Sequence, residues 1–379
     1  MKLLSARGGL PRLLAALAVV AVVAGGVAFA TASRSDSATP DLPAVTAQQL
    51  LTEVGQAKVP GLSGTVVSTS RLGLPSLPSL GSGGGGVSPT DLVSGSHTVR
   101  VWLKGENQSR LALTGQLAES DAIHNGRDVW LYASEQNSVV HYRLASPAVP
   151  PPAPPSGVTP QALASRLLTA IGPSTTVTVE RNLRVAGHDA YQLRLRPKAP
   201  ESLIDSAVLA VDGQTKVPLR VQVLAKGKQD PAFEVGFTQV QFHAPSDDVF
   251  QFTPPPGAKV TEKQPPTGEH HGNGQPRVPA TSQGPRVLGD SWTSVLVVDG
   301  VDLGSAGSGS DARALRELLG ATTPVQGAFG QGRLLRTTLL TVLLTDNGRL
   351  YAGAVTPQAL EAAAARPLSD AKPLLRTGR

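Results

Sequence analysis

Apolar and polar residues alternate with a period of two through much of the chain, which is the pattern of a β-strand with one apolar face. Segments 98–104, 110–114 and 191–196 show this alternation most clearly. The pairs Asn125-Gly126 and Asp212-Gly213 separate such segments and predict tight turns between them. We therefore predict a meander of about ten antiparallel strands whose sheet has one apolar and one solvated face.

Helical spacing of apolar residues occurs twice among the predicted strands. Thr46 is a suitable N-cap for a first helix that carries Leu50, Leu51 and Val54 on one face. A second helix is predicted over 160–171, where a proline occupies the first turn. Both helices are expected to pack on the apolar face of the sheet.

The N-terminus has the pattern of an export signal. Lys2, Arg7 and Arg12 precede an almost wholly apolar stretch from Leu13 to Ala32, which contains small-x-small cleavage sites. The stretch is also long enough to cross a membrane as a helix. Residues 1–35 are therefore predicted to be either a cleaved signal peptide or a membrane anchor. In both cases the rest of the chain lies outside the cytoplasm.

Shifts in composition divide the remaining chain into four parts. They are a polar tether at 36–44, a sheet domain at 45–260, a low-complexity, disordered linker at 261–285 and a small α+β domain at 286–379. In the last part, strands are predicted at 294–298, 332–335, 339–345 and 350–355, and helices at 311–319 and 357–365. An apolar insertion at 72–86 interrupts the sheet domain. Leu74, Leu77 and Leu80 in this insertion are expected either to gate a cavity or touch a membrane, or to belong to a plain linker.

The amino-acid composition excludes several classes of function. The chain has no cysteine, which excludes disulfides, cysteine-ligated metals and thiol nucleophiles. Its net charge is +6, but no run of five basic residues occurs, so nucleic acid is not the expected partner. A basic surface facing an anionic membrane is compatible with this charge.

The polar residues show no catalytic or metal-binding pattern. The seven histidines lack the spacing of metal ligands, and no G-x-S-x-G nucleophile motif is present. We therefore predict no enzyme activity, no metal site and no cofactor. The apolar face of the sheet is the informative feature, and it either forms an ordinary core or leaves a gap for an apolar ligand.

Two motifs give the chain a resemblance to a known family. One is the strand-turn-strand with Asp212, Thr215, Pro218 and Leu219, and the other is the Phe-Thr-Pro-Pro ending at 252–255. Together with the strand pattern over about residues 45 to 260, they resemble the LolA-like superfamily. That superfamily includes the periplasmic lipoprotein carrier, LppX-type lipid carriers and the N-terminal half of the RseB/MucB regulators. Residues 286–379 and the 72–86 insertion depart from the carrier pattern.

The resemblance implies an α+β fold in which a curved antiparallel sheet forms an incomplete β-barrel around a helical lid. It also implies a hydrophobic cavity for acyl chains. By strand parity, the residues expected to line this cavity are Val99, Val101, Leu103, Leu111, Leu113, Trp130, Tyr132, Leu193, Leu195, Leu209, Val221, Val223, Phe233, Val235 and Phe237.

The implied function is that of an exported, non-enzymatic lipid or lipoprotein carrier. The alternative is a membrane-tethered regulator, similar to RseB/MucB, that senses lipid or lipoprotein and acts on a membrane protein. The expected partners are a lipid or acylated protein, the membrane surface and, for the regulator, a membrane protein.

Overall fold

The computed structural model describes residues 40–73, 95–114, 119–144, 172–263, 285–300 and 320–373. These residues are mostly β-strand and form two sheets. Two α-helices have described bounds, α1 (Ala47–Gln56) and α2 (Pro357–Ala364). Both begin where the sequence predicts, because Thr46 and Thr356 accept hydrogen bonds from the first turn of the helix that follows.

The first sheet has twelve strands in the order β12-β6-β5-β4-β3-β2-β1-β11-β10-β9-β8-β7. The strand bounds are β1 (Gly61–Ser70), β2 (Gly95–Lys104), β3 (Gln108–Thr114), β4 (Glu119–Asn125), β5 (Asp128–Ala133), β6 (Ser138–Arg143), β7 (Thr175–Val185), β8 (His188–Pro197), β9 (Ile204–Asp212), β10 (Pro218–Ala225), β11 (Pro231–Gln241) and β12 (Lys259–Lys263). Neighbouring strands are antiparallel, except that β12 is parallel to β6. Strands β12 and β7 do not pair with each other, so the curved sheet is unclosed within the described residues.

Helix α1 defines the inner face of this sheet. Leu50, Leu51 and Val54 pack against Tyr191, Leu193 and neighbouring apolar residues of β7, β8 and β9. Leu50 is completely buried. The apolar spacing of α1 therefore covers one end of the inner face.

The outer face is crossed by a segment that we call the outer strap, residues 245–258. The strap begins near Asp247, whose carboxylate accepts a hydrogen bond from Lys104 Nζ at 2.7 Å. Its Phe250 is completely buried, and Phe252 contacts the rings of Trp130 and Tyr132. The strap leads directly into β12 at the edge of the sheet.

The Asp212 motif forms the turn between β9 and β10. The Asp212 carboxylate is buried and accepts hydrogen bonds from the backbone N–H groups of Gln214 and Thr215, at 3.0 and 2.6 Å, and from the Thr215 hydroxyl at 2.8 Å. These bonds satisfy backbone donors that the ladder leaves free, which explains why aspartate and threonine occupy these positions.

The turn between β4 and β5 differs from the prediction. Asn125 pairs with Asp128 in the ladder, so the central turn residues are Gly126 and Arg127. Only Gly126 of these two has a positive φ, of 64°. A glycine at the first central position fits a type II′ turn, whereas an Asn-Gly pair at the two central positions, as the sequence suggests, would form a type I′ turn.

The second sheet has seven strands in the order β15-β16-β17-β18-β14-β13-β19. The bounds are β13 (Arg286–Leu288), β14 (Val295–Val298), β15 (Thr323–Gly327), β16 (Gly330–Arg336), β17 (Thr341–Thr345), β18 (Leu350–Gly353) and β19 (Lys372–Pro373). Helix α2 packs on this sheet, with Leu343, Tyr351 and Leu360 buried in the shared core. Strands β13, β15 and β19 were absent from the sequence prediction.

Backbone and side-chain hydrogen bonds join the two sheets. Leu203 N–H donates to the Ala354 carbonyl at 2.8 Å, and Ser202 forms an antiparallel bridge with Val355. The Trp292 indole N–H donates to Thr175 Oγ1 at 2.7 Å. The second sheet is thus attached near the β7 edge of the first.

Several predictions fall outside the described residues. They are the N-terminal segment, the helix at 160–171, a helix at 311–319 and the leucines of the insertion, Leu74, Leu77 and Leu80. Among the described residues, no helix combines the length and apolar character that crossing a membrane requires. The predicted linker starts three residues too early, because 261–263 belong to β12.

Candidate functional site

The strand register places one row of side chains across the inner face, which we call the inner track. Residues directly opposite each other in neighbouring strands share a face of the sheet. The ladders pair each member of the row with the next, from β2 to β12. The inner track consists of Val101, Leu111, Ala122, Leu131, Val140 and Thr261.

Burial decreases along the inner track from β2 to β5. Val101 on β2 is only 3% exposed, whereas Leu131 on β5 is 41% exposed. Leu111, Ala122 and Val140 have intermediate exposure. Leu131 and Val260 are the large apolar residues identified as exposed among the described residues. The inner face therefore changes from a packed core to an accessible apolar surface.

Most of the predicted lining residues lie together on the inner face. Val99, Val101, Val221 and Val235 are buried in one cluster. Partly buried residues pack against that cluster, among them the predicted Leu103, Leu111, Leu113, Leu209, Phe233 and Phe237. Val223 has intermediate exposure and is opposite Phe233 in the ladder.

Helix α1 already covers one group of the predicted lining residues. Leu193, Leu195 and Leu209 belong to the cluster that packs with the helix, and Leu193 is only 1% exposed. At this end of the sheet the inner face is a protein core. The accessible part of the face lies on the side of β3 to β6.

Two predicted residues lie on the opposite face. Trp130 and Tyr132 contact Phe252 of the outer strap. Strand β5 reads Val-Trp-Leu-Tyr, with apolar side chains on both faces, so period-two alternation gives no sign of which face is inner. The neighbouring Leu131, which the sequence analysis missed, takes the inner position.

A histidine cluster attaches β12 to the outer face of the sheet edge. The Nε2 atom of His141 lies 2.9 Å from Asp128 Oδ1, and its Nδ1 atom lies 2.7 Å from Glu262 Oε2. The His141 ring stacks on Trp130, and His141 is only 7% exposed. The cluster fixes the register of β12 and turns the Glu262 side chain toward the outer face.

A second electrostatic contact holds the start of the outer strap. Hydrogen bonds from Lys104, and then from Gln108, hold the pKa of Asp247 below its ordinary value. The Arg110 guanidinium donates to the Val249 carbonyl at 3.3 Å and to Asp121 at 2.6 Å. These cations therefore secure the strap and are not directed toward the inner track.

A surface depression of about 510 Å³ lies elsewhere, at the turns that follow β2 and β4. Most of its lining residues are polar or charged, and none has a large apolar side chain; they are Pro60, Lys104, Gly105, Glu106, Asn107, Gln108, Asn125 and Gly126. A site for an acyl chain requires apolar walls. This depression is therefore separate from the inner track.

No protein-family model and no curated protein matches this chain. Solved structures do match it. The Pseudomonas aeruginosa MucA/MucB complex gives 16% identity over 84% of this chain and 96% of the matched chain, with a TM-score of 0.40. The lipoprotein LppX of Mycobacterium tuberculosis gives 13% identity over 53% of this chain and 98% of LppX, with a TM-score of 0.28.

A LolA superfamily protein from Nitrosomonas europaea also matches, with 16% identity over 55% of this chain and 99% of that protein, and a TM-score of 0.20. Proteins of the LolA superfamily and MucB are thus among the solved structures that this chain matches. All of these TM-scores lie below 0.5.

Proposed function

We propose that this protein is an exported, non-enzymatic carrier that binds the acyl chains of a lipid or lipoprotein on the inner face of its unclosed sheet. The observation that supports this proposal is the gradient along the inner track, from Val101 at 3% exposure to Leu131 at 41%. An apolar surface that continues directly from a packed core can accept a chain without rearranging the core.

The length of the track suits one acyl chain. Leu111 on β3 and Val140 on β6 are separated by three strand spacings, which is about 14 Å at the usual spacing between strands. An acyl chain spans about 15 Å, half of the hydrocarbon thickness of a bilayer. One chain laid across β3 to β6 would therefore cover the accessible part of the track.

The energetics favour a ligand with more than one chain. Burial of about 300 Å² of apolar surface contributes about 7 kcal/mol. Association costs about 4–15 kcal/mol in lost freedom, so one chain gives weak binding. A second chain of the same size doubles the favourable contribution without a second full association cost. We therefore expect a diacyl or triacyl ligand.

Native mass spectrometry of the full chain, purified from its own host, tests the proposal. The expected result is an additional lipid mass that disappears after delipidation. Leu131→Asp should reduce the bound fraction at least about tenfold, because an unpaired carboxylate on the apolar track is costly to bury. Val260→Asp is the matched control, since Val260 is 43% exposed on the outer face. Identical masses before and after delipidation would contradict the proposal.

One observation favours the regulator as a second candidate. The second sheet is attached to the first through Leu203, Ala354 and Trp292, so a ligand on the first sheet has a structural route to the second. The regulator hypothesis predicts that the full chain, cross-linked in its own membrane, yields one defined membrane protein. It also predicts that delipidation changes the yield of that adduct. A yield that does not depend on lipid would contradict the regulator hypothesis, and only the carrier function would remain.

A further inference from the structure

Strand β12 presents two lysines at the accessible end of the inner track. Glu262 points to the outer face, where it contacts His141. Side chains alternate along a strand, so Lys259, Thr261 and Lys263 lie on the inner face. Their partners on β6 are Ser138, Val140 and Tyr142, and Val140 is the neighbour of Leu131 on the track.

The carboxylates of the neighbouring strands point away from these lysines. Asp121 pairs with Arg110, and Asp128 contacts His141, both on the outer face. Among the described residues, neither Lys259 nor Lys263 forms an ion pair. This end of the inner face is therefore positively charged beside an apolar surface.

We propose that the ligand of the inner track carries an anionic headgroup, which Lys259 and Lys263 bind while its acyl chain lies along Val140, Leu131 and Leu111. This inference rests on the proposed function and deepens it by naming the class of lipid. It excludes neutral glycerides and zwitterionic lipids as the preferred ligands.

The spacing of the two lysines suits a phosphate or carboxylate. They are four residues apart, about 13 Å along the strand. Their flexible four-carbon stems allow both ammonium groups to converge over Thr261, which lies midway and offers a hydroxyl donor. Each ammonium is strongly hydrated and exposed, so the interaction selects by charge and weakens with added salt.

The histidine cluster holds these lysines in place. The bonds from His141 to Glu262 fix which side of β12 faces outward, and a shift of one residue would move both lysines to the outer face. His141 is therefore a positioning residue for the headgroup site and does not contact the ligand.

Lysines on an edge strand also discourage pairing with the edge of another sheet. That role requires no ligand, and it predicts that removal of the lysines changes the oligomeric state without changing lipid preference. The two roles therefore give different results in a binding experiment that also measures molecular mass.

The experiment uses the delipidated full chain and two vesicle populations, phosphatidylcholine alone and phosphatidylcholine mixed with phosphatidylglycerol of identical acyl chains. Native mass spectrometry then counts each bound lipid. We expect about a fivefold preference for phosphatidylglycerol at low salt, which disappears in Lys259→Gln/Lys263→Gln while total lipid binding persists. The control Lys228→Gln/Lys372→Gln makes the same charge change at two exposed residues away from the track.

Each outcome has one meaning. Equal binding of both lipids by the native chain, or a preference that survives in Lys259→Gln/Lys263→Gln, overturns the headgroup inference and leaves the carrier function intact. Binding of neither lipid overturns the carrier function itself. Loss of preference in the control as well would assign it to net charge and overturn the inference.

Discussion

The imidazole of His141 stacks on the indole of Trp130, with ring centroids 3.7 Å apart and planes 7° from parallel. The same imidazole contacts Asp128 and Glu262 through its two nitrogens. One side chain thus connects the ring cluster beneath the outer strap to the edge strand β12. Because all five residues of β12 are exposed, its attachment depends strongly on this contact.

His141→Phe should release β12 while it keeps the ring stack. Phenylalanine can pack on Trp130, but it leaves Asp128 and Glu262 without their shared partner. Hydrogen exchange of the 259–263 amides should become at least about tenfold faster, because loss of these contacts lowers the free energy of local opening by about 1–3 kcal/mol. His243→Phe, at an exposed histidine, is the control. Unchanged exchange at β12 in His141→Phe would show that the ladder alone holds the strand.

Replacement of leucine by alanine should lower the free energy of unfolding by different amounts at the two ends of the inner face. Leu193→Ala should lower the free energy of unfolding by about 2–4 kcal/mol, because it leaves a cavity beneath α1. Leu131→Ala should change it by less than about 1 kcal/mol, since Leu131 is 41% exposed. Denaturant unfolding of the two variants measures both values. Equal losses would mean that the track is ordinary core.

The Asp212 turn should be a large contributor to stability. Asp212→Ala removes the acceptor of three hydrogen bonds at a residue that is 2% exposed. We expect a loss of about 3 kcal/mol, because the N–H groups of Gln214 and Thr215 and the Thr215 hydroxyl then lose a charged acceptor. Thermal unfolding checks this value, with Asp230→Ala at an exposed turn as the control. A loss no greater than that of the control would refute the role given to this turn.

The second sheet should lose stability in acid through Asp299. Burial raises the pKa of Asp299, but hydrogen bonds from Arg349 and Arg286 outweigh it and hold the pKa below its ordinary value. A carboxylate with a lowered pKa stabilises the fold above about pH 4, and this contribution is lost as the pH falls further. The difference in unfolding free energy between the native chain and Asp299→Asn should therefore shrink between about pH 5 and pH 2. A constant difference would argue against this ion cluster.

The sequence predicted the faces of most strands because their alternation is regular. Val99 and Val101 alternate with polar neighbours, and the structure buries both. Strand β5 could not be assigned in this way, because the outer strap covers its outer face and both sets of side chains are apolar. Parity placed Trp130 and Tyr132 on the inner face, whereas the structure places Leu131 there.

The histidine cluster and β12 could not be predicted from the sequence, for a different reason. His141, Asp128 and Glu262 come from three strands and have no fixed spacing along the chain. The Lys-Val-Thr-Glu-Lys sequence of β12 is short and polar, and it borders a low-complexity segment. Only its pairing with β6 shows that both of its lysines face the inner track. Tertiary contacts, and not local propensity, determine whether such edge strands form and which face their side chains take.

Photo-cross-linking with a fatty acid that carries a diazirine in its chain tests the central claim most directly. The proposed function predicts that the labelled peptides contain Leu111, Leu131 or Val140, and that an excess of unlabelled lipid from the host removes the label. Labels confined to the outer face around Val260, or no label that the host lipid displaces, would contradict an acyl chain on the inner track.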